Sequence, residues 1–194
     1  MQQENFSEQN SLQLIESMIN KAKNKFSENG TLYLLWGYTI LICSLAQFVL
    51  QEVFKLEEGQ YVWMLTWAVV IYQVFFLIKK KKKIKVRTYT DEIIGFVWLA
   101  FVTCLFLTIF ILGYHKQYAL IDSAVLVLYG VPTFLSGAIL KFKPLMIGGI
   151  CCWILAAISP FVIDKYHFLL LCAAVIAAWI IPGHLLRIRY KKEN

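Results

Sequence analysis

The chain has no proline before Pro132, no low-complexity linker and no obvious internal repeat, so nothing in its 194 residues marks a boundary between domains. Its five cysteines, Cys43, Cys104, Cys151, Cys152 and Cys172, all fall inside apolar runs. A disulfide framework or a zinc site needs spaced, accessible pairs, so these thiols are read as packing groups. There is no phosphate-binding glycine loop, no nucleophile–base pair and no zinc signature, and Gly148-Gly149 lies within an apolar run where it would hold no nucleotide. The chain is therefore expected to be neither an enzyme nor the carrier of a cofactor. The first 28 residues are polar, without the early apolar core or small-residue cleavage site of a signal peptide. The first apolar run is expected to serve as its own insertion signal.

What the sequence has in excess is apolar surface. Hydrophobic residues make up 59% and aromatic residues 15% of the chain, with a mean hydropathy of +0.63; soluble domains sit nearer 45–50% apolar. Six long runs hold the excess, at about 31–50, 61–78, 93–112, 118–140, 144–163 and 168–186. Each is close to the ~20 residues a helix needs to cross a ~30 Å hydrocarbon layer. Backbone polar groups in lipid must be satisfied within the segment, which makes these runs helices. They lack the apolar–polar alternation of a membrane β-barrel.

Charge orients them. Lys79, Lys80, Lys81, Lys82, Lys83, Lys85 and Arg87 place seven positive charges in nine residues between the second and third runs. Lys21, Lys23 and Lys25, then Lys141 and Lys143, then Arg187, Arg189, Lys191 and Lys192 fall on the same side if the runs alternate. Only Lys55, Lys116 and Lys165 of the 19 basic residues fall on the other. Positive charge collects on the cytoplasmic side, so both termini are expected there. Tyr61, Trp63, Tyr114, Tyr118 and Tyr166 gather at the opposite boundary, Trp36, Tyr38 and Trp98 toward the inner one, and Trp153 alone falls mid-span, where it is expected to pack between helices. The net charge of +7 does not indicate nucleic-acid binding, because the basic residues flank spans and no nucleic-acid fold motif accompanies them. The basic block is instead a candidate contact for anionic headgroups or for a protein partner.

Leu12, Ile15, Met18, Ile19, Ala22 and Phe26 recur at three- and four-residue spacing and end at Asn29-Gly30. Residues 11–28 are expected to form an amphipathic helix lying on the inner leaflet, or docking a partner by the same face. All four prolines lie in the second half. Pro132, after Gly130, predicts a kink or unwound turn in the fourth span; Pro160 and Pro182 should bend or end the fifth and sixth. Gly148, Cys152 and Ala156, with Ala173/Ala177 and Ala174/Ala178, form small-residue stripes that predict a tight hairpin of the fifth and sixth spans.

Asp122 is the one acid within a span, a candidate proton relay or cation site, although its place near the start of the fourth run also fits an interfacial acid at a helix N-terminus. His115, Asp164 and His167 map to the same boundary and are of types that suit zinc. His184, after Pro182-Gly183, is read as ending the sixth helix, and Gln47 and Gln73 as interhelical hydrogen-bonding amides.

Ile15-Glu16-Ser17-Met18-Ile19-Asn20-Lys21-Ala22-Lys23 through Phe26, followed by Leu34-Leu35-Trp36-Gly37, resembles a group of uncharacterised small membrane proteins of Gram-negative bacteria. That resemblance covers the N-terminal helix and the first span, and implies a bacterial inner membrane with no activity or site residue to carry over. The sequence thus predicts an all-α chain, a six transmembrane helix bundle at 31–190 preceded by an N-terminal amphipathic interfacial helix within 1–30, with a short tail at 191–194. The expected role is a sensory, scaffolding or accessory subunit acting through its cytoplasmic face, with oligomer formation open. The rival is a small-solute or ion transporter using Asp122 and the Gly130/Pro132 break.

Overall fold

The structure, a computed structural model, describes residues 29–83 and 89–193. The amphipathic helix expected at 11–28, and Lys85 and Arg87 of the basic block, lie outside the described residues. Among those described, every regular element is helical. Helix α1 (Thr31–Phe48) runs on through a π-helical turn, Val49–Val53. A 3-10 segment, Glu57–Trp63, leads into α2 (Met64–Lys83). Helices α3 (Tyr89–Tyr114), α4 (Tyr118–Ile139) and α5 (Lys143–Ile158) follow. Two short 3-10 turns, Ser159–Phe161 and Asp164–Tyr166, connect α5 to α6 (His167–Val175). A π-helical segment, Ile176–Ile180, joins α6 to α7 (Ile181–Glu193). Six segments are long and apolar enough to cross a membrane: Thr31–Val53, Gly59–Lys79, Thr90–Tyr114, Tyr118–Ile139, Lys143–Phe161 and Asp164–Lys192.

The ends of these helices follow local chemistry. Gly30 sits at φ 70°, a left-handed conformation that costs a residue without a Cβ little. Asn29 Oδ1 accepts the Thr31 N–H at 3.1 Å, satisfying one of the free donors of the first turn. Tyr89 opens α3 with Asp91 and Glu92 in the first turn, where the helix dipole favours acids. Lys55, Lys116 and Lys141 follow α1 with its π-helical extension, α3 and α4 in left-handed conformation. Beyond Lys116 and Lys141, Gln117 N–H reaches back to Leu112 O at 2.8 Å and Phe142 N–H to Gly137 O at 2.8 Å, the hydrogen bonds of a Schellman ending.

Two expectations about the second half are corrected, the unwound turn at Pro132 and the end of the sixth helix at His184. Helix α4 is unbroken through Pro132, which is buried in it. The sixth span does not end at Pro182-Gly183-His184 but continues to Glu193. A proline within a helix removes one N–H and crowds the preceding turn; here the π-helical segment Ile176–Ile180 immediately precedes Pro182, and helices adapt to such strain at π-turns. The most extensive pairing is α4 with α5, ahead of α5 with the sixth span. Gly137 and Gly149 account for it, because Gly137 meets Leu145 and Met146 while Gly149 meets Phe134 and the Gly130 carbonyl. The fifth and sixth spans do touch through the expected stripe: Gly148 lies against the backbone of Ala177 and Ala178, and Cys152 Sγ lies 4.0 Å from the Ala174 carbonyl.

The core lies among α1, α4, α5 and the sixth span. Leu126, Leu145, Val175 and Leu186 are fully buried there. A chain of rings runs through it: Tyr33 to Trp98 at 5.7 Å, Trp98 to Trp179 at 6.0 Å, and Trp179 to Tyr129 at 4.6 Å. Trp179 Nε1 donates to Thr133 Oγ1 at 2.9 Å, and Thr133 Oγ1 donates to Tyr129 O at 2.8 Å, so the buried indole and the buried threonine hydroxyl are both satisfied. Trp153 lies between helices, as its position implied: its ring is 5.3 Å from Phe134, and its Nε1 donates to Val127 O at 3.2 Å.

Helix α2 stands apart. None of the residues in its apolar stretch is buried by the other described residues, against half of those in the sixth span. Its main neighbour is α1, and two indole–amide hydrogen bonds link them. Trp36 Nε1 donates to Gln73 Oε1 at 2.5 Å, and Trp63 Nε1, just before α2, donates to Gln47 Oε1. Both glutamines therefore make the bonds between segments that their positions implied.

Candidate functional site

The end of the bundle away from Lys79–Lys83 carries its one buried histidine. His167 is the first residue of α6, and Asp122 lies in the first turns of α4. The α4–α5 pairing brings the C-terminal end of α5 beside the start of α4, and the two short 3-10 turns fold α6 back onto both. The His167 side chain is 4% exposed and that of Asp122 29%. His167 Nε2 lies 2.9 Å from the Ser159 carbonyl. Ser159 Oγ donates to Ala156 O at 2.9 Å and lies 2.6 Å from Ser123 Oγ. Because the Ser159 proton is committed to Ala156, Ser123 is the donor in the serine pair. His167 Nδ1 is buried without a hydrogen-bond partner and lies 3.8 Å from Asp122 Oδ2.

The structure thus joins two residues that the sequence placed at the same boundary but on different segments, Asp122 and His167, and adds two that sequence reasoning passed over, Ser123 and Ser159. The signal for Ser159 was its position before Pro160 at the end of a span, where a buried hydroxyl needs a partner. His115 and Asp164 are exposed, and the His115 ring packs edge-on against Tyr114 at 5.4 Å. Among the described residues no group of three or more His, Cys, Asp or Glu is arranged to hold a metal ion.

The Gly130/Pro132 region is filled. The Trp153 indole covers Gly130 so closely that a Cβ there would collide with it, and both Pro132 and Thr133 are fully buried. At the other end of the molecule, Lys79 to Lys83 form the last turns of α2, with Lys79 exposed. His184 does not end a helix; its Nε2 lies 2.9 Å from Tyr38 Oη and ties α7 to α1.

Compared with known proteins, the chain matches no family model, no curated protein and no solved structure. Its class therefore rests on its own fold: six helices long and apolar enough to span a bilayer, which is the architecture of a multi-pass membrane protein.

Proposed function

We propose that this chain is a protein of a bacterial cytoplasmic membrane, with both termini and the basic block on the cytoplasmic side. In this reading it works as a non-catalytic sensory, scaffolding or accessory subunit through that face. One observation carries the reading: α2 buries none of its apolar stretch against the other described residues, and it ends in five consecutive lysines. Fixing topology takes two or three positive charges, whereas Lys79 to Arg87 supply seven. A basic cluster beside a span attracts anionic headgroups at ~1 kcal/mol per charge. The chemistry at this end thus suits the anionic lipid of the inner leaflet, and any cytoplasmic partner would meet the protein there.

The test is lipid co-purification. The full chain, extracted with its native lipids, should retain anionic lipid by mass spectrometry. The variant with Lys80, Lys81, Lys82, Lys83, Lys85 and Arg87 all replaced by Gln should retain several-fold less. Equal retention would remove the basis for the reading. Pull-downs with residues 1–28 deleted test the partner half: an unchanged set of associated proteins would count against it.

A further inference from the structure

One ring nitrogen of His167 has a hydrogen-bond partner and the other faces a carboxylate. The Ser159 carbonyl is only an acceptor, so Nε2, 2.9 Å away, carries a proton. In a neutral imidazole that leaves Nδ1 with a bare lone pair. Nδ1 is buried, has no hydrogen-bond partner, and lies 3.8 Å from Asp122 Oδ2, itself an acceptor when ionised. Two acceptors facing each other in a buried site repel, and a buried polar atom left unpaired is costly. A positive species between them removes both penalties. Among the described residues no third His, Cys, Asp or Glu joins them to complete a metal site, whereas a proton needs only these two groups.

We infer that Asp122 and His167 form a proton-binding site, holding one proton on Nδ1 opposite the Asp122 carboxylate 3.8 Å away, and that the resulting attraction fastens the start of α4 to the start of α6. With the proton in place a chain of contacts runs from Asp122 by electrostatic attraction to His167, on by hydrogen bond to the Ser159 carbonyl, and through the Ser159 hydroxyl to Ser123, linking α4, the end of α5 and α6. Without it the Asp122–His167 link is repulsive and the chain opens at that point. Asp122 is part-exposed, so the proton exchanges with solvent on that side of the membrane.

Few other charged groups belong to the neighbouring elements. Asp164 is exposed in the turn before α6, and the Lys165 ammonium lies over the Tyr166 ring at 4.8 Å. Glu52, after α1, pairs with Lys55 at 3.3 Å. Of the other ionisable groups on the packed helices, Cys43 on α1 contacts Val62 O, Cys152 on α5 lies against the Ala174 carbonyl, Tyr129 on α4 packs against Trp179, and Cys172 lies on α6 itself.

The experiment uses the full chain in lipid nanodiscs with its histidines labelled with 15N, and His167→Gln to assign the His167 signals. In the native protein at pH 7, both ring nitrogens of His167 should show a bound proton. In Asp122→Asn, Nδ1 should become a plain acceptor of the new amide N–H. Thermal unfolding gives the second readout. The native protein should lose about 2–4 °C as pH rises and the proton leaves, which is the size expected when one such contact is lost in a chain of this length. Asp122→Asn, whose amide supplies its own hydrogen, should show no such fall. A bare Nδ1 in the native protein at pH 7 would overturn the inference, whatever the variants do. So would a native signal that changes on chelation with EDTA, which would place a metal ion between the two residues instead.

Discussion

Replacing Gly148 by alanine adds a single methyl group to α5, and the structure fixes what that group meets. A Cβ there would lie 2.6 Å from Ala178 Cα and 2.7 Å from the Ala177 carbonyl oxygen. Both are backbone atoms, so neither can swing aside. The shorter distance falls about 0.8 Å below the 3.4 Å at which ordinary contact begins, and the fifth and sixth spans must separate by something close to that. Each atom pair across a packed interface contributes about 0.1–0.2 kcal/mol, and a gap of 0.5–1 Å forfeits a quarter to a half of it. Over about 40 pairs, the number a large buried side chain makes, the loss is about 2 kcal/mol, within the usual range of about 1–3 kcal/mol for overpacking a core. That shifts the folded-to-unfolded ratio about 30-fold. Gly95→Ala provides the control, since a Cβ on Gly95 meets nothing within 4 Å. Helix propensity then acts alone, and this change should be neutral or stabilising by up to about 1 kcal/mol. Unfolding in mixed micelles of rising SDS content, followed by fluorescence of the six tryptophans, measures both variants. If Gly148→Ala proved as stable as Gly95→Ala, the close approach of the two spans would be refuted.

Thr133→Val keeps the side-chain shape but leaves Trp179 Nε1 buried without an acceptor, since Thr133 Oγ1 is the partner shown for it. A loss of about 1–3 kcal/mol is expected in the same assay, and a change below about 0.5 kcal/mol would show that the indole finds another partner. Trp36→Phe and Gln73→Leu each break one of the bonds that hold α2 to α1. Their double-mutant cycle should give a coupling of about 0.6–1.7 kcal/mol, the range for hydrogen bonds between helices in a bilayer; additive effects would mean that the bond does not form in lipid.

The spans were legible because length and hydropathy are properties of a single segment. The runs read at 61–78 and 118–140 match Gly59–Lys79 and Tyr118–Ile139 closely. Polar residues in the middle of apolar runs were legible for a related reason: Gln47 and Gln73 have few ways to be satisfied in lipid, so the interhelical bonds they make followed from their chemistry. What the sequence hid depends on two segments at once. Pro182-Gly183 reads locally as a stop, but the adjoining π-helical segment absorbs it, and Gly183 is held against Tyr33 and Leu34 of α1. The small-residue stripe at Gly148 meets the sixth span as its spacing implied, while Gly130 and Gly137 on α4 lie in the more extensive α4–α5 contact, which no stripe on one segment reveals. Asp122 and His167 are 45 positions apart and lie on different segments; only the folding of α6 onto α4 shows that one faces the other.

The lysines in left-handed conformation bear on which membranes suit the protein. Lys116 precedes α4 and Lys141 follows it, both exposed. The 22 residues between Tyr118 and Ile139 rise about 33 Å, slightly more than a ~30 Å hydrocarbon layer. Glycine would be the unstrained residue at each of these helix ends, and lysine in its place puts a charge at the water boundary at a cost of about 1 kcal/mol in backbone strain. The fourth span therefore carries a hydrophilic collar at both ends and behaves as a gauge of bilayer thickness. In a thinner bilayer it must tilt, or thicken the lipid around it, at a cost of a fraction of a kcal/mol per ångström. Because α4 is packed tightly on α5, such a tilt would be passed on to the helix beside it.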